Sequence, residues 1–132
     1  EGAGMILAID TSTPECRVWL IDGEDRRDHT WNAGRNLADG ILRYLRELLV
    51  ADGRSWRDIE SIVVFKGPGS FTGLRIGLTV MNTLADTYSL PIVGETGDAW
   101  LSSGLERLSR DENDGLVMPL YGREPNITKP RK

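Results

Sequence analysis

The sequence predicts an α/β fold, a mixed five-stranded sheet with helices on its faces and an antiparallel edge, and three observations carry that prediction. Two apolar runs near the start are separated by a few turn residues and followed by a more polar run, the pattern of a strand meander. Helical periodicity then alternates with short β-branched runs, the order that places strands side by side in parallel with helices packed across them. Finally, the strand Ser61-Ile62-Val63-Val64-Phe65 joins a long helical segment through a glycine-proline break, Lys66-Gly67-Pro68-Gly69-Ser70. At 132 residues the chain forms one domain, large enough to bury about two thirds of its unfolded surface.

Met5 to Thr11 is nearly all apolar, as a strand covered on both faces requires, and Thr11-Ser12-Thr13-Pro14-Glu15 breaks it. Cys16 to Ile21 is the second strand, Asp22-Gly23 a turn, and Arg27 to Trp31 a polar edge strand. Asn36 is placed to cap a helix that runs to about Ala51, with Asp39 in its first turn and Gly53 beyond its end. Ser55-Trp56-Arg57-Asp58 has capping-box spacing and predicts a single helical turn before the fourth strand. The second helix runs from about Thr72 to Tyr88, with Ser70 or Thr72 as its cap, and Pro91 to Glu95 is a short parallel strand. Asp98 to Arg110 makes a third helix, Asp111 to Gly115 an exposed acidic turn, and Leu116 to Tyr121 a strand or packed segment. Glu1-Gly2-Ala3-Gly4 ahead of Met5 looks like an expression scar, and residues 124–132 read as an extended polar tail.

Two features point to function. Apolar residues of the first helix (Leu37, Ile41, Leu42, Tyr44, Leu45, Leu48, Leu49) cover an arc of about 160°, and those of the second (Gly73, Leu74, Ile76, Gly77, Leu78, Val80, Met81, Leu84, Ala85, Tyr88) about 200°. Resting on one sheet face needs less, so the surplus predicts a docking face. Gly73 and Gly77, four apart, would let another helix approach closely, which predicts that Gly77→Leu leaves the monomer intact while weakening partner binding ten-fold or more. In the absence of the partner, the same glycine groove predicts a two-fold homodimer. The second feature is the glycine loop, whose amides and helix N-terminus can hold an anion. With Asp10, Thr11 and Ser12 at the end of the first strand, Gly67, Gly69, Ser70 and Thr72 form a candidate phosphate site for a phosphotransferase or ATPase. The loop lacks the lysine of the common phosphate-loop motif, since Leu74-Arg75 follows Gly73.

Other classes find little support. A net charge of −4 argues against broad affinity for nucleic acid or anionic membranes. The single cysteine, Cys16, excludes an internal disulfide and a cysteine-rich zinc site and fits a reducing compartment, with the cytoplasm as the expectation. The first apolar run is too short to span a membrane. His29, the one histidine, sits in the polar edge strand and reads as a surface residue, so no metal site is expected.

Ile6-Leu7-Ala8-Ile9-Asp10-Thr11-Ser12 and, far more specifically, Gly67-Pro68-Gly69-Ser70-Phe71-Thr72-Gly73-Leu74-Arg75-Ile76-Gly77 resemble the opening strand and hallmark loop of the TsaB (YeaZ) family. These proteins are partner subunits in bacterial synthesis of threonylcarbamoyladenosine on tRNA. Pro119-Leu120-Tyr121-Gly122-Arg123-Glu124-Pro125 is similar to the family's closing segment. The resemblance implies one actin-like ATPase (ASKHA, RNase H-like) lobe over residues 5–123, with strand order 3-2-1-4-5. It also implies a non-catalytic role beside the adenosine-modifying paralogue TsaD, bound through the first two helices as a heterodimer. An ATPase subunit would join them, tRNA would be met indirectly, and this chain alone would bind no cofactor, ATP or ADP with magnesium belonging to the complex. The second, smaller lobe of usual members is replaced here by the third helix and the acidic turn, so the chain looks like a minimal member that keeps the docking lobe.

Overall fold

The computed structural model describes residues 4–120. Strands β1 (Met5–Asp10), β2 (Glu15–Asp22) and β3 (Asp25–Asn32) form the meander, and α1 (Leu37–Ala51), β4 (Ile59–Phe65), α2 (Phe71–Tyr88), β5 (Ile92–Glu95) and α3 (Trp100–Ser109) follow. The sheet order is β3-β2-β1-β4-β5, as the family resemblance implied. β1 pairs antiparallel with β2 and parallel with β4, whose other neighbour, β5, is also parallel.

Period-two alternation divides the apolar strands between two layers. Met5, Leu7, Ile9, Ile62 and Val64 point toward α1 and α2, where Ile41, Leu45, Leu49, Leu78 and Met81 complete the larger core. Ala8 and Val63 point the other way and meet Trp100 of α3, with Trp19, Phe65, Leu101 and Leu105 around them. Central strands covered on both faces therefore have no polar side to show. Cys16 is fully buried on the α1 side, and burial next to Asp10 pushes its thiol pKa up to about 12, a side chain for packing rather than for reaction.

Three local details depart from the sequence reading. Asn36 makes no side-chain capping bond; it ends a 3-10 turn, Gly34–Asn36, that leads directly into α1. α3 begins at Trp100 rather than Asp98. The expected acidic turn is not merely exposed. Asn113 Oδ1 accepts the Ile92 amide at 3.0 Å, Asp114 Oδ2 accepts the Gly94 amide at 2.9 Å, and the Asp114 amide donates to Ile92 O at 2.8 Å, so side chains satisfy the outer edge of β5 where a sixth strand would pair. Beyond it, the segment is packed and not a strand. Val117 is buried, and its backbone is gripped in both directions by the Asn82 amide, while the Leu120 amide donates to Lys66 O at 2.7 Å. The capping box at Ser55 and Asp58 and the Ser70 cap, which accepts from the Gly73 amide at 3.2 Å, form as expected. The expected tail, and the expected scar apart from Gly4, lie outside the described residues. No helix among the described residues is long and apolar enough to cross a membrane.

Arg107 ties the β5 edge to α3. Its guanidinium bonds Glu95 at 2.9 Å, Glu112 at 2.7 Å and Asp114, and the surrounding carboxylates raise its pKa. Burial pushes the Asp114 carboxyl up, but bonds from Arg107 and the Gly94 amide, with the charges of Arg107 and Lys66, outweigh it and leave it below its ordinary 3.8. A carboxyl depressed on folding stabilises fully above its unfolded pKa and stops doing so as pH falls through the lower folded value. Hydrogen exchange at the Ile92 and Gly94 amides should therefore be pH-independent, after correction for intrinsic rates, down to about pH 4 and lose protection below it. Equal protection of both amides at pH 2 and pH 6 would show that Asp114 does not hold this edge.

Candidate functional site

The glycine loop is built as a seat for the turn between β1 and β2. The Ser70 amide donates to Ser12 O at 2.9 Å, and the Thr11 hydroxyl donates to Gly73 O at 2.8 Å across 62 residues of sequence. Glycine is needed where these backbones meet: a Cβ at Gly69 would lie 3.0 Å from Ser12 O, and one at Gly67 2.9 Å from the carbonyl carbon of Leu120. Both Thr11 and Ser12 are buried by this contact, and one carboxylate oxygen of Asp10 accepts the Ser12 amide at 2.8 Å. The candidate phosphate set is thus brought together, but largely to satisfy itself. The Thr11 hydroxyl, the Ser70 amide and the Ser70 hydroxyl are all engaged within the chain, while Thr72 points outward. That leaves a poor fit for a nucleotide phosphate. Among the described residues no group of three His, Cys, Asp or Glu is placed to hold a metal ion. His29 is half-buried on β3, opposite Val18.

The reading of Gly73 and Gly77 as a groove for a partner helix is overturned. A Cβ at Gly77 would sit 2.7 Å from Thr11 Cγ2 and 2.9 Å from Thr11 Cβ, and one at Gly73 would strike Thr11 O. These glycines admit the β1–β2 turn of their own chain, so a homodimer through a Gly73/Gly77 groove has no groove to use. The rest of the expected docking set divides. Leu37, Ile41, Leu45, Leu74, Gly77, Met81 and Leu84 are buried in the chain's own core, whereas Leu48, Gly73, Ile76 and Val80 are only half-buried. Much of each wide arc is therefore inward packing: on α1 a stripe every four residues fills the core, and Leu42, at 50% exposure, is left outside it.

What remains outward is specific. Ala38 of α1 and Thr72, Arg75, Ile76, Thr79 and Val80 of α2 line an open groove of about 460 Å³ between the two helices. Near the N-terminus of α2 it adjoins a smaller one, about 300 Å³, floored by Leu37, Gly73 and Ile76. Arg75 is the one charged side chain in the larger groove, and its guanidinium lies 5.2 Å from the Phe71 ring centroid. A shallow, partly apolar groove with threonine walls and a single charge suits a protein surface more than a polar small molecule. Sequence reasoning missed Ala38, Thr79 and Asn82, none of which it counted in the apolar arcs of the two helices.

The comparisons with known proteins agree with this architecture. The family model described as TsaD, tRNA N6-adenosine threonylcarbamoyltransferase, matches residues 31–101. The tRNA threonylcarbamoyladenosine biosynthesis protein TsaB of Escherichia coli K12 is 35% identical over 109 residues, covering 78% of this chain and 47% of that protein. Its Bacillus subtilis 168 counterpart is 34% identical over 120 residues, covering 88% of this chain and 49% of that one. The solved structure of YeaZ from Pseudomonas aeruginosa superposes with a TM-score of 0.67 at 31% identity, covering 81% of this chain and 50% of the other. The chain spans about half the length of the curated relatives it matches. With the expected actin-like sheet in place and these relatives around it, the chain belongs to the family described by the TsaD model and, within it, to the TsaB (YeaZ) proteins.

Proposed function

We propose that the chain serves threonylcarbamoyladenosine modification of tRNA without catalysing it, by docking a TsaD-like paralogue on the outward groove between α1 and α2. The observation that supports this reading is the groove itself: Ala38, Ile76 and Val80 lie open between two helices whose inner faces are already filled by the sheet. Apolar surface of this kind marks a contact site when it is contiguous and rimmed by polar groups, as here by Thr72, Thr79 and Arg75. The engaged state of the glycine loop supports a structural rather than phosphoryl-transferring role for this chain. In this reading tRNA and the ATPase subunit are met through the paralogue, and without it a second copy covers the same groove.

Titration calorimetry of the chain with a TsaD-like paralogue tests the proposal, and a complex with micromolar or tighter affinity is the expected result. Thr79 is exposed, so Thr79→Arg should change monomer stability by no more than about 0.5 kcal/mol. Placed in the groove wall, the same arginine should weaken binding ten-fold or more, about 1.4 kcal/mol per decade. Absence of any complex at tens of micromolar would end the proposal.

A further inference from the structure

The face of the sheet opposite α1 and α2 carries a cavity of its own. α3 crosses that face against the direction of β4: Trp100 meets Phe65, Gly104 sits against Val63, and Leu105 and Leu108 overhang Ser61. Val63 fills the space under Gly104, but two residues back along the same side of β4 the chain offers only a serine beneath the last turn of α3. An open cavity of about 620 Å³ results, with Ile6, Leu105 and Leu108 as apolar walls, each only half-buried. That volume is in the range of small-molecule sites.

Ser61 is out of character for its place. The other inward positions of β4 are apolar, and Ser61 is only 7% exposed, yet its hydroxyl takes part in no hydrogen bond among the described residues. Pairing with β1 engages its backbone alone. A buried hydroxyl without a partner is a cost that alanine would not carry, unless a bound group supplies the partner. The charge around the cavity is one-sided as well. Glu60, Asp111 and Glu112 line it, and no basic residue does. Arg107 and Arg110 pair with Glu112, whereas Glu60 and Asp111 take part in none of the ion pairs among the described residues.

We infer that this cavity binds a small organic cation, an ammonium group on an apolar stem that ends in a hydroxyl or carbonyl. The stem lies against Ile6, Leu105 and Leu108, its polar end completes the hydrogen bonding of Ser61, and the ammonium is held by the unpaired acidic residues Glu60 and Asp111. Their charge selects a cation over a neutral or anionic ligand. No group of three His, Cys, Asp or Glu among the described residues is placed to hold a metal ion, which favours an organic cation. The site lies across the sheet from the groove of α1 and α2, so it stands or falls independently of docking to the paralogue.

Amide chemical-shift titration of the full chain with 6-aminohexan-1-ol, an ammonium and a hydroxyl joined by an alkyl stem, tests the inference. Saturable shifts at the amides of Ser61, Leu108, Asp111 and Glu112, with a millimolar dissociation constant, are the expected result. Hexan-1-ol and 6-hydroxyhexanoate, which lack the positive charge, should bind about ten-fold more weakly or not at all. Ser61→Ala should melt at or above the parent temperature and weaken 6-aminohexan-1-ol about three-fold or more, while leaving hexylamine, which has no group for the hydroxyl, unchanged. Asp111→Asn suits the left-handed backbone at that position, φ 61°, and should weaken both amines. Parent-like binding of 6-aminohexan-1-ol by Ser61→Ala, equal binding of 6-hydroxyhexanoate by the parent, or no saturable shift at tens of millimolar would each overturn the inference. A lower melting temperature for Ser61→Ala would show that its hydroxyl is already satisfied within the chain, and would overturn it too.

Discussion

Gly77→Leu should cost the isolated protein about 3 kcal/mol or more, a large share of the 5–15 kcal/mol, roughly, by which such domains are stable. Gly77 is buried on the sheet side of α2, where even a Cβ would lie 2.7 Å from Thr11 Cγ2, and leucine adds three more heavy atoms behind it. Thr11 cannot step aside cheaply. It is 3% exposed, its hydroxyl is bonded to Gly73 O, and the next residue holds the Ser70 amide. Moving it leaves the Thr11 hydroxyl and Ser12 O without partners, about 1 kcal/mol or more each where they are shielded from water. The gain in helix propensity over glycine, about 1 kcal/mol at most, does not offset this. This reverses the expectation drawn from sequence, that the substitution would spare the monomer and block a partner. Urea denaturation decides between them: a midpoint like the parent's, with partner affinity lost, would restore the sequence reading.

The reversal shows where the sequence stops being legible. Helical periodicity correctly placed Gly73, Gly77, Ile76 and Val80 on one broad face of α2, and the alternation of elements predicted the mixed sheet with its antiparallel edge, the strand order itself being what the family resemblance implied. Periodicity reports an angle around a helix axis but not what occupies the space beyond it. Two glycines four apart mean close approach in either case, and here the visitor is a turn 62 residues away in sequence. The same limit applies to Asp111 to Gly115. A run of charged and small residues reads as solvated, and nothing local reveals that Asn113 and Asp114 stand in for the backbone of an absent strand along β5. The hallmark loop was legible as strand, turn and helix cap because glycine, proline and serine act within a few residues of themselves. Its use as a seat for Thr11 and Ser12 depends on tertiary contact and was not.

Gly67→Ala should be the most damaging single-methyl change in the loop, at about 3 kcal/mol, because it combines two costs that are separable elsewhere in the chain. The backbone at Gly67 has φ +123°, a conformation side chains rarely adopt, and a Cβ there would also lie 2.9 Å from the carbonyl carbon of Leu120 and press on its oxygen. The obstruction is backbone, so no rotamer change relieves it. Relief requires Leu120 to withdraw, which breaks its 2.7 Å bond to Lys66 O and loosens the segment that carries Met118 and the buried Val117. Gly53 supplies the control. It too has a positive φ, +72°, but a Cβ there meets nothing within 4 Å, so Gly53→Ala carries the backbone strain alone, about 1 kcal/mol. Chemical denaturation of both variants should therefore show a midpoint shift about three times larger for Gly67→Ala. Hydrogen exchange at the Leu120 and Val117 amides should accelerate in that variant only. Equal shifts in the two variants, with both amides still protected, would mean that the loop tolerates a side chain at position 67 and that Leu120 is not held against it.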